Sequence, residues 1–209
     1  MKHALRAALQ LLVCALVQLP MIILGWPLVA VGLLFRREYP DTKVPFSGAL
    51  WANWMLIRLP SLLLPWDNII DGMAGDKRGS WHRQTGNAYS FWSMWRWAAL
   101  RNPANYFKRF ILTCNVATCT SIEKLAGQDY VRDDFDHTGF QFLVATNKKG
   151  RRFYHLYLVR RWGSSDRALV VQLGFKFHLG DEKLVYVGDT YHKAYKGFTF
   201  EVNPLKNIN

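Results

Sequence analysis

Hydrophobicity along the chain has three regimes. From Ala7 to Phe35 apolar residues run without any period: 29 positions carry no charge, and Gln10 and Gln18 supply the polar side chains. From about Ser47 to Phe107 the apolar clusters recur at helical spacing and are heavy in tryptophan. Beyond Phe110 the spacing becomes two. Leu169, Val171, Leu173, Phe175 and Phe177 alternate with Val170, Gln172, Gly174, Lys176 and His178, and Phe198, Phe200 and Val202 alternate with Thr199 and Glu201. Such alternation gives strands with one oily and one mixed face. Residues 140–146 and 152–162, joined by the turn at 147–150, read as a hairpin. Residues 184–187 read as a short strand and 111–121 as an opening strand. A curved sheet or small barrel would bury the oily face.

The first regime decides the class of protein. Lys2 and Arg6 would serve as the basic start of a signal peptide, but the run is about twice the length of a signal core. No small-residue cleavage site precedes Arg36 and Arg37, and Val13 stands where a lipoprotein signal needs a small residue. A spanning helix needs about 20 apolar residues. Pro20 and Pro27, with Gly25 between them, interrupt the run. Two geometries are compatible with them: one kinked, tilted span whose freed carbonyls are satisfied by neighbours, or a re-entrant hairpin turning between residues 19 and 26. The competing reading is a buried hairpin in a soluble protein. Arg36, Arg37 and Lys43 outnumber Lys2 and Arg6, which places the C-terminal bulk in the cytoplasm.

The second regime adds an interfacial belt. Residues 47–66 hold Trp51, Trp54 and Trp66 and are interrupted by Arg58, Pro60 and Pro65. A short helix lying in the headgroup zone, with Arg58 reaching toward phosphate, fits this composition. So does an ordinary core helix. Ser90 is a good N-cap, and Asn102-Pro103 should stop the following helix near Arg101. Trp92 and Trp95 lie on its apolar face and Trp97 to one side. With Trp26 these tryptophans form the candidate membrane-interface set. The fold class is therefore α+β: N-terminal membrane-associated helices, then an antiparallel β-meander. The divisions fall at 1–46 (transmembrane or re-entrant), 47–109 (amphipathic, interfacial, with an acidic loop) and 110–209 (soluble β-domain).

Charge refines this picture. The net charge of +12 suggests nucleic acid at first, yet residues 1–66, 67–109 and 110–209 each net +4. Lys148, Lys149, Arg151 and Arg152 sit at one end of a strand and Arg160 and Arg161 at the other, about 30 Å apart at ~3.3 Å per residue. Basic residues near apolar segments suit anionic lipid better, so bacterial membrane lipid is the expected partner and nucleic acid is disfavoured. Three cysteines, Cys14, Cys114 and Cys119, read as buried free thiols of a reducing compartment.

Chemistry-bearing patterns are sparse. Asp67, Asp71 and Gly72 occupy three places of a calcium loop, and Asp76 follows. Ile69 and Arg78 stand where oxygen ligands are needed. Asp67, Asp71 and Asp76 are the metal or catalytic candidates on paper, and turn-forming carboxylates explain them as well. His137, His155, His178 and His192 lack metal-ligand spacing, and no nucleophile–base pattern or phosphate-cradling loop is present. No cofactor is implied.

One resemblance emerges here. Trp66, Asp67, Asn68, Asp71, Gly72, Gly75 and Asp76, followed by a tryptophan-rich helix and by Arg101, Asn102, Pro103 and Asn105, resemble a family of small uncharacterised proteins of tailed bacteriophages. The likeness covers roughly residues 50–110. It implies a phage origin and a host inner membrane, and it carries no activity with it. Ile69 and Ile70 stand where that pattern often has a further acid. The expected function is a non-enzymatic interaction protein at the host membrane, binding a host or phage protein and open to oligomer formation, in host takeover, superinfection exclusion or anti-defence. The alternatives are a virion or DNA-delivery component and a membrane-tethered hydrolase using the acidic loop.

Overall fold

The computed structural model describes residues 2–40, 55–67, 86–87, 89–133, 137–183 and 194–208. The apolar run forms one unbroken helix, α1 (Lys2–Leu34), with Pro20 and Pro27 inside it. The hairpin alternative is not adopted. The prolines lie seven residues apart, close to two turns, so both fall on one side of the helix and each removes one hydrogen bond there.

The chain divides into two compact units, Met1–Ala15 with Leu112–Asn209, and Leu16–Ile111. The sheet-bearing unit thus takes the first turns of α1, a contribution absent from divisions drawn at 46 and 109.

In that unit an antiparallel six-stranded sheet has the order β3-β8-β7-β6-β5-β4. Its strands are β3 (Thr113–Asn115), β4 (Cys119–Gly127), β5 (Gly139–Asn147), β6 (Arg152–Arg161), β7 (Arg167–Phe175) and β8 (Tyr195–Asn207). The expected opening strand over 111–121 is two strands, parted by a 3-10 turn at Val116–Thr118 that Asn115 caps through its side chain. They lie on opposite edges of the sheet. Four Cα steps of about 3.8 Å reach at most about 15 Å, whereas the edges of a flat six-stranded sheet stand about 24 Å apart. The short link therefore requires the sheet to curl, and it curls without closing. The expected strand at 184–187 lies outside the described residues.

The expected oily face is buried at Phe175, Phe177 and Phe198, whereas over 169–173 and 200–202 the opposite face turns inward. The register aligns Phe140, Leu158, Val171 and Val202 in one row and Phe142, Leu156, Leu173 and Phe200 in the next. Both rows are wholly apolar, yet none of their members is fully buried, and Phe200 and Val202 are 59% and 57% exposed. Val170 (2% exposed) and Gln172 (8%) face the interior with Gln141, Leu143, His155 and Tyr157. Alternation marks two faces and cannot say which one turns inward. The mixed face can be buried because its polar groups are paired: the Gln141 amide donates to the carbonyls of Gln128 (3.0 Å) and Asp129 (2.7 Å).

Part of the apolar face receives α1. The Gln10 side chain acts as a piece of strand: its amide N–H donates to Arg152 O (2.8 Å) and its carbonyl accepts from Tyr154 N–H (2.9 Å). Leu11 and Cys14 pack with the core of Cys114, Val116, Leu143, Phe177 and Phe198.

The second unit holds the remainder of α1, a two-stranded ribbon of β1 (Arg37–Pro40) and β2 (Met55–Arg58), a 3-10 turn at Ser61–Trp66 and a short helix, α2 (Phe91–Trp95), continued as π-helix to Arg101. The single interfacial helix expected over 47–66 is thus a strand and a 3-10 turn in its described part. Pro60 forces the preceding residue toward extended backbone and so ends any helix there. Ser90 caps α2 as expected, accepting from Ser93 N–H at 3.2 Å.

Gln10→Ala should strip Tyr154 N–H and Arg152 O of their partner and cost about 1–3 kcal/mol. Chemical denaturation of the full chain in detergent, followed by near-ultraviolet dichroism, measures it.

Candidate functional site

The described part of α1 places most of its apolar side chains outward. Of its most apolar 18-residue window only 11% is buried, where the core helix of a soluble protein would be mostly buried. The helix is long and apolar enough to span a membrane. On one side, the rest of the second unit docks against it through two glycines. A Cβ at Gly25 would lie 2.8 Å from Trp66 Cδ1, and one at Gly32 would lie 2.7 Å from Leu63 Cδ1. These glycines admit the returning chain. Indole N–H groups then bond α1 carbonyls: Trp66 Nε1 donates to Met21 O (2.7 Å) and Trp95 Nε1 to Trp26 O (2.8 Å). The prolines free the carbonyls of Leu16 and Ile23, so the indoles meet the neighbouring turns instead.

The interface tryptophans therefore separate into groups. Trp26 and Trp92 are exposed. Trp95 is half-buried and tied to α1, while Trp66 and Trp97 are buried. Trp51 and Trp54 lie outside the described residues. Arg58 does not reach outward; its Nε donates to Asp67 Oδ2 at 2.5 Å. The Asp67 side chain is 1% exposed, so this is a structural ion pair inside the unit. Asp67 O also accepts from Tyr106 N–H (3.1 Å). The two halves of the motif, at Trp66-Asp67 and at Arg101–Asn105, consequently meet in space. Ala104 there adopts a positive φ of 48° and is fully buried. Asn68, Asp71, Gly72, Gly75 and Asp76 lie outside the described residues.

Inside the sheet unit a polar cluster unites residues distant in sequence. His155 Nδ1 lies 2.8 Å from Phe177 O, which can only accept, so Nδ1 carries the proton. Nε2 then accepts from the Gln172 amide at 3.2 Å. His178 Nε2 likewise accepts from Arg132 at 2.7 Å. Asp181 Oδ2 receives His178 N–H (2.9 Å) and Lys196 (3.0 Å). Burial and the neighbouring His178 hold His155 neutral, its pKa lowered to about 3; burial and Arg132 lower His178 to about 4. Sequence spacing gave no sign of this cluster. Gly174, paired with His155 in the sheet, has a φ of 98°, and a Cβ there would lie 2.1 Å from Tyr154 O, so the position requires glycine.

Cys114 and Cys119 bring their sulfurs within 3.8 Å, and all three cysteines are free and buried. Since β3 and β4 are the two edges of the sheet, this thiol contact sits at the open seam. The hydrogen bond between them lowers the Cys119 thiol and raises Cys114. Among the described residues no group of three or more His, Cys, Asp or Glu side chains is placed to hold a metal ion.

The described residues thus present an outward apolar surface on α1 and partly exposed apolar rows on the sheet. The chain belongs to the Family of unknown function (DUF7338), which it matches over residues 2–209. No curated protein and no solved structure matches it.

Two measurements probe these contacts. Arg58→Ala should strand the Asp67 carboxylate without its guanidinium and cost about 3–5 kcal/mol, and adding Asp67→Leu should recover most of that; thermal melts in detergent report both. Acid should act on the sheet unit through its histidines. Above pH 6.5 both states are neutral and the linkage costs nothing. Below it the unfolded histidines protonate while folded His155 and His178 do not, until about pH 3 and about pH 4. Stability should therefore fall on acidification through this window, by up to about 1.4 kcal/mol per pH unit for each histidine. Urea titrations at stepped pH follow it, with His155→Gln reducing the slope.

Proposed function

We propose that this protein is a membrane-bound, non-enzymatic binding protein, anchored by the second part of α1 and presenting its sheet unit to a protein partner on the cytoplasmic side. The observation that carries the reading is the outward apolar surface of α1, which is charge-free beyond Arg6. At about 1.5 Å per residue, positions 16–34 extend about 28 Å, close to the ~30 Å hydrocarbon thickness of a bilayer. The apolar rows on the sheet, ending in exposed Phe200 and Val202, supply further surface for a lipid interface. The motif resemblance supports a tailed phage and its host's inner membrane as the setting. The basic residues after α1 support the cytoplasmic orientation. The non-enzymatic reading draws on Asp67, whose carboxylate is committed to Arg58.

Expressed in a bacterial cell, the protein should pellet with the inner membrane and resist alkaline carbonate. Recovery in the soluble fraction without detergent would overturn the reading. Leu24→Arg, near the middle of the proposed span, should cost about 2.5–3.5 kcal/mol of insertion free energy and shift protein out of the membrane fraction.

A further inference from the structure

Between the first turns of α1 and the apolar face of the sheet lies a cavity of about 330 Å³. The helix contributes Ala4, Ala7, Ala8 and Leu11 at successive helical spacing, and the sheet contributes Phe142 and Leu156 from one of its apolar rows. Three alanines over a sheet of phenylalanine and leucine leave room that larger side chains would have filled. Core packing does not normally leave such a void. Its size is at the lower end of the ~300–1,000 Å³ usual for ligand pockets.

The neighbouring recess has the opposite chemistry. It is lined by Arg6, Gln10, Gly150, Arg152 and Tyr154, of which Gln10 and Tyr154 also line the apolar cavity. Arg6 and Arg152 are exposed, and neither pairs with a carboxylate among the described residues. Lys148, Lys149 and Arg151 adjoin them on the β5–β6 turn. Gln10 holds the two chambers in register by its double bond to β6.

We propose that this double chamber is a binding site for one long-chain fatty acid, its hydrocarbon tail between α1 and the sheet and its carboxylate on Arg6 and Arg152. Guanidinium groups match a carboxylate in charge and in fork geometry. The small apolar volume admits one chain and not the pair carried by a diacyl lipid. The site lies wholly within the sheet-bearing unit, so it goes beyond the membrane reading and does not require residues 16–34 to cross a bilayer.

The test uses the full chain in phosphatidylcholine nanodiscs and palmitic acid bearing a mid-chain diazirine, with peptides mapped after photolysis. Label should fall on peptides containing residues 4–11 and 140–156. Hexadecanol with the same diazirine should label them about tenfold less, as should palmitate on the Arg6→Gln/Arg152→Gln variant, the loss expected for a charge-assisted contact. Ala7→Trp should fill the cavity and abolish the label; circular dichroism checks its sheet, and the two surface arginine substitutions decide the matter if that sheet is lost. Label confined to residues 16–35, equal labelling by the alcohol, or stronger labelling by a diazirine phosphatidic acid would each overturn the assignment. The first outcome would leave membrane anchoring intact, whereas failure of anchoring would show in fractionation alone.

Discussion

From Ala7 to Leu34, α1 carries no charge and turns most of its apolar side chains outward, a surface that water solvates poorly. That constraint organises the structure. It explains why α1 keeps all its backbone bonding internal apart from the two positions opposite proline, and why the polar atoms that approach it are indole N–H groups set on its carbonyls. It also explains Gly25 and Gly32. On the membrane reading proposed above, apolar surfaces gain little from meeting one another in lipid, so close backbone approach and hydrogen bonds hold the second unit to its helix.

The sheet obeys a related rule. Two of its oily rows turn outward and the mixed rows beside them inward, while Phe175, Phe177 and Phe198 stay buried. The inward amide and imidazole groups of the central strands are partnered: Gln141 on the backbone at 128–129, His155 between Phe177 and Gln172, His178 against Arg132. Neutral imidazoles bonded in this way cost little at neutral pH and become costly once they must carry protons. α1 then uses the outward face for its own docking, and Gln10 supplies the bonds of a missing strand residue.

How far the amino-acid order foretold this can be traced residue by residue. The uncharged run, the Ser90 cap, the stop after Arg101 and the Asn147 turn were all legible because each rests on local chemistry; Asn147 Oδ1 does accept from Lys149 and Arg151 N–H groups as such turns require. The division of 111–121 was hidden because three residues, Val116–Thr118, send successive strands to opposite edges, a tertiary decision. The inward face was hidden because alternation is symmetric. Arg58 looked like a lipid-facing cation because its partner, Asp67, sits nine residues away beyond two prolines. The neighbours of Arg152 were hidden because Arg6 and Gln10 of α1, which line the same recess, lie far from it in sequence.

The central claim is that the outward surface of α1 meets hydrocarbon. Spin labels placed singly at Leu19, Ile23 and Val31 of the protein in lipid vesicles, relaxed by oxygen and by a water-soluble nickel chelate, test it directly. The account predicts strong relaxation by oxygen and protection from nickel at all three positions. Ready relaxation by nickel at these positions would contradict it.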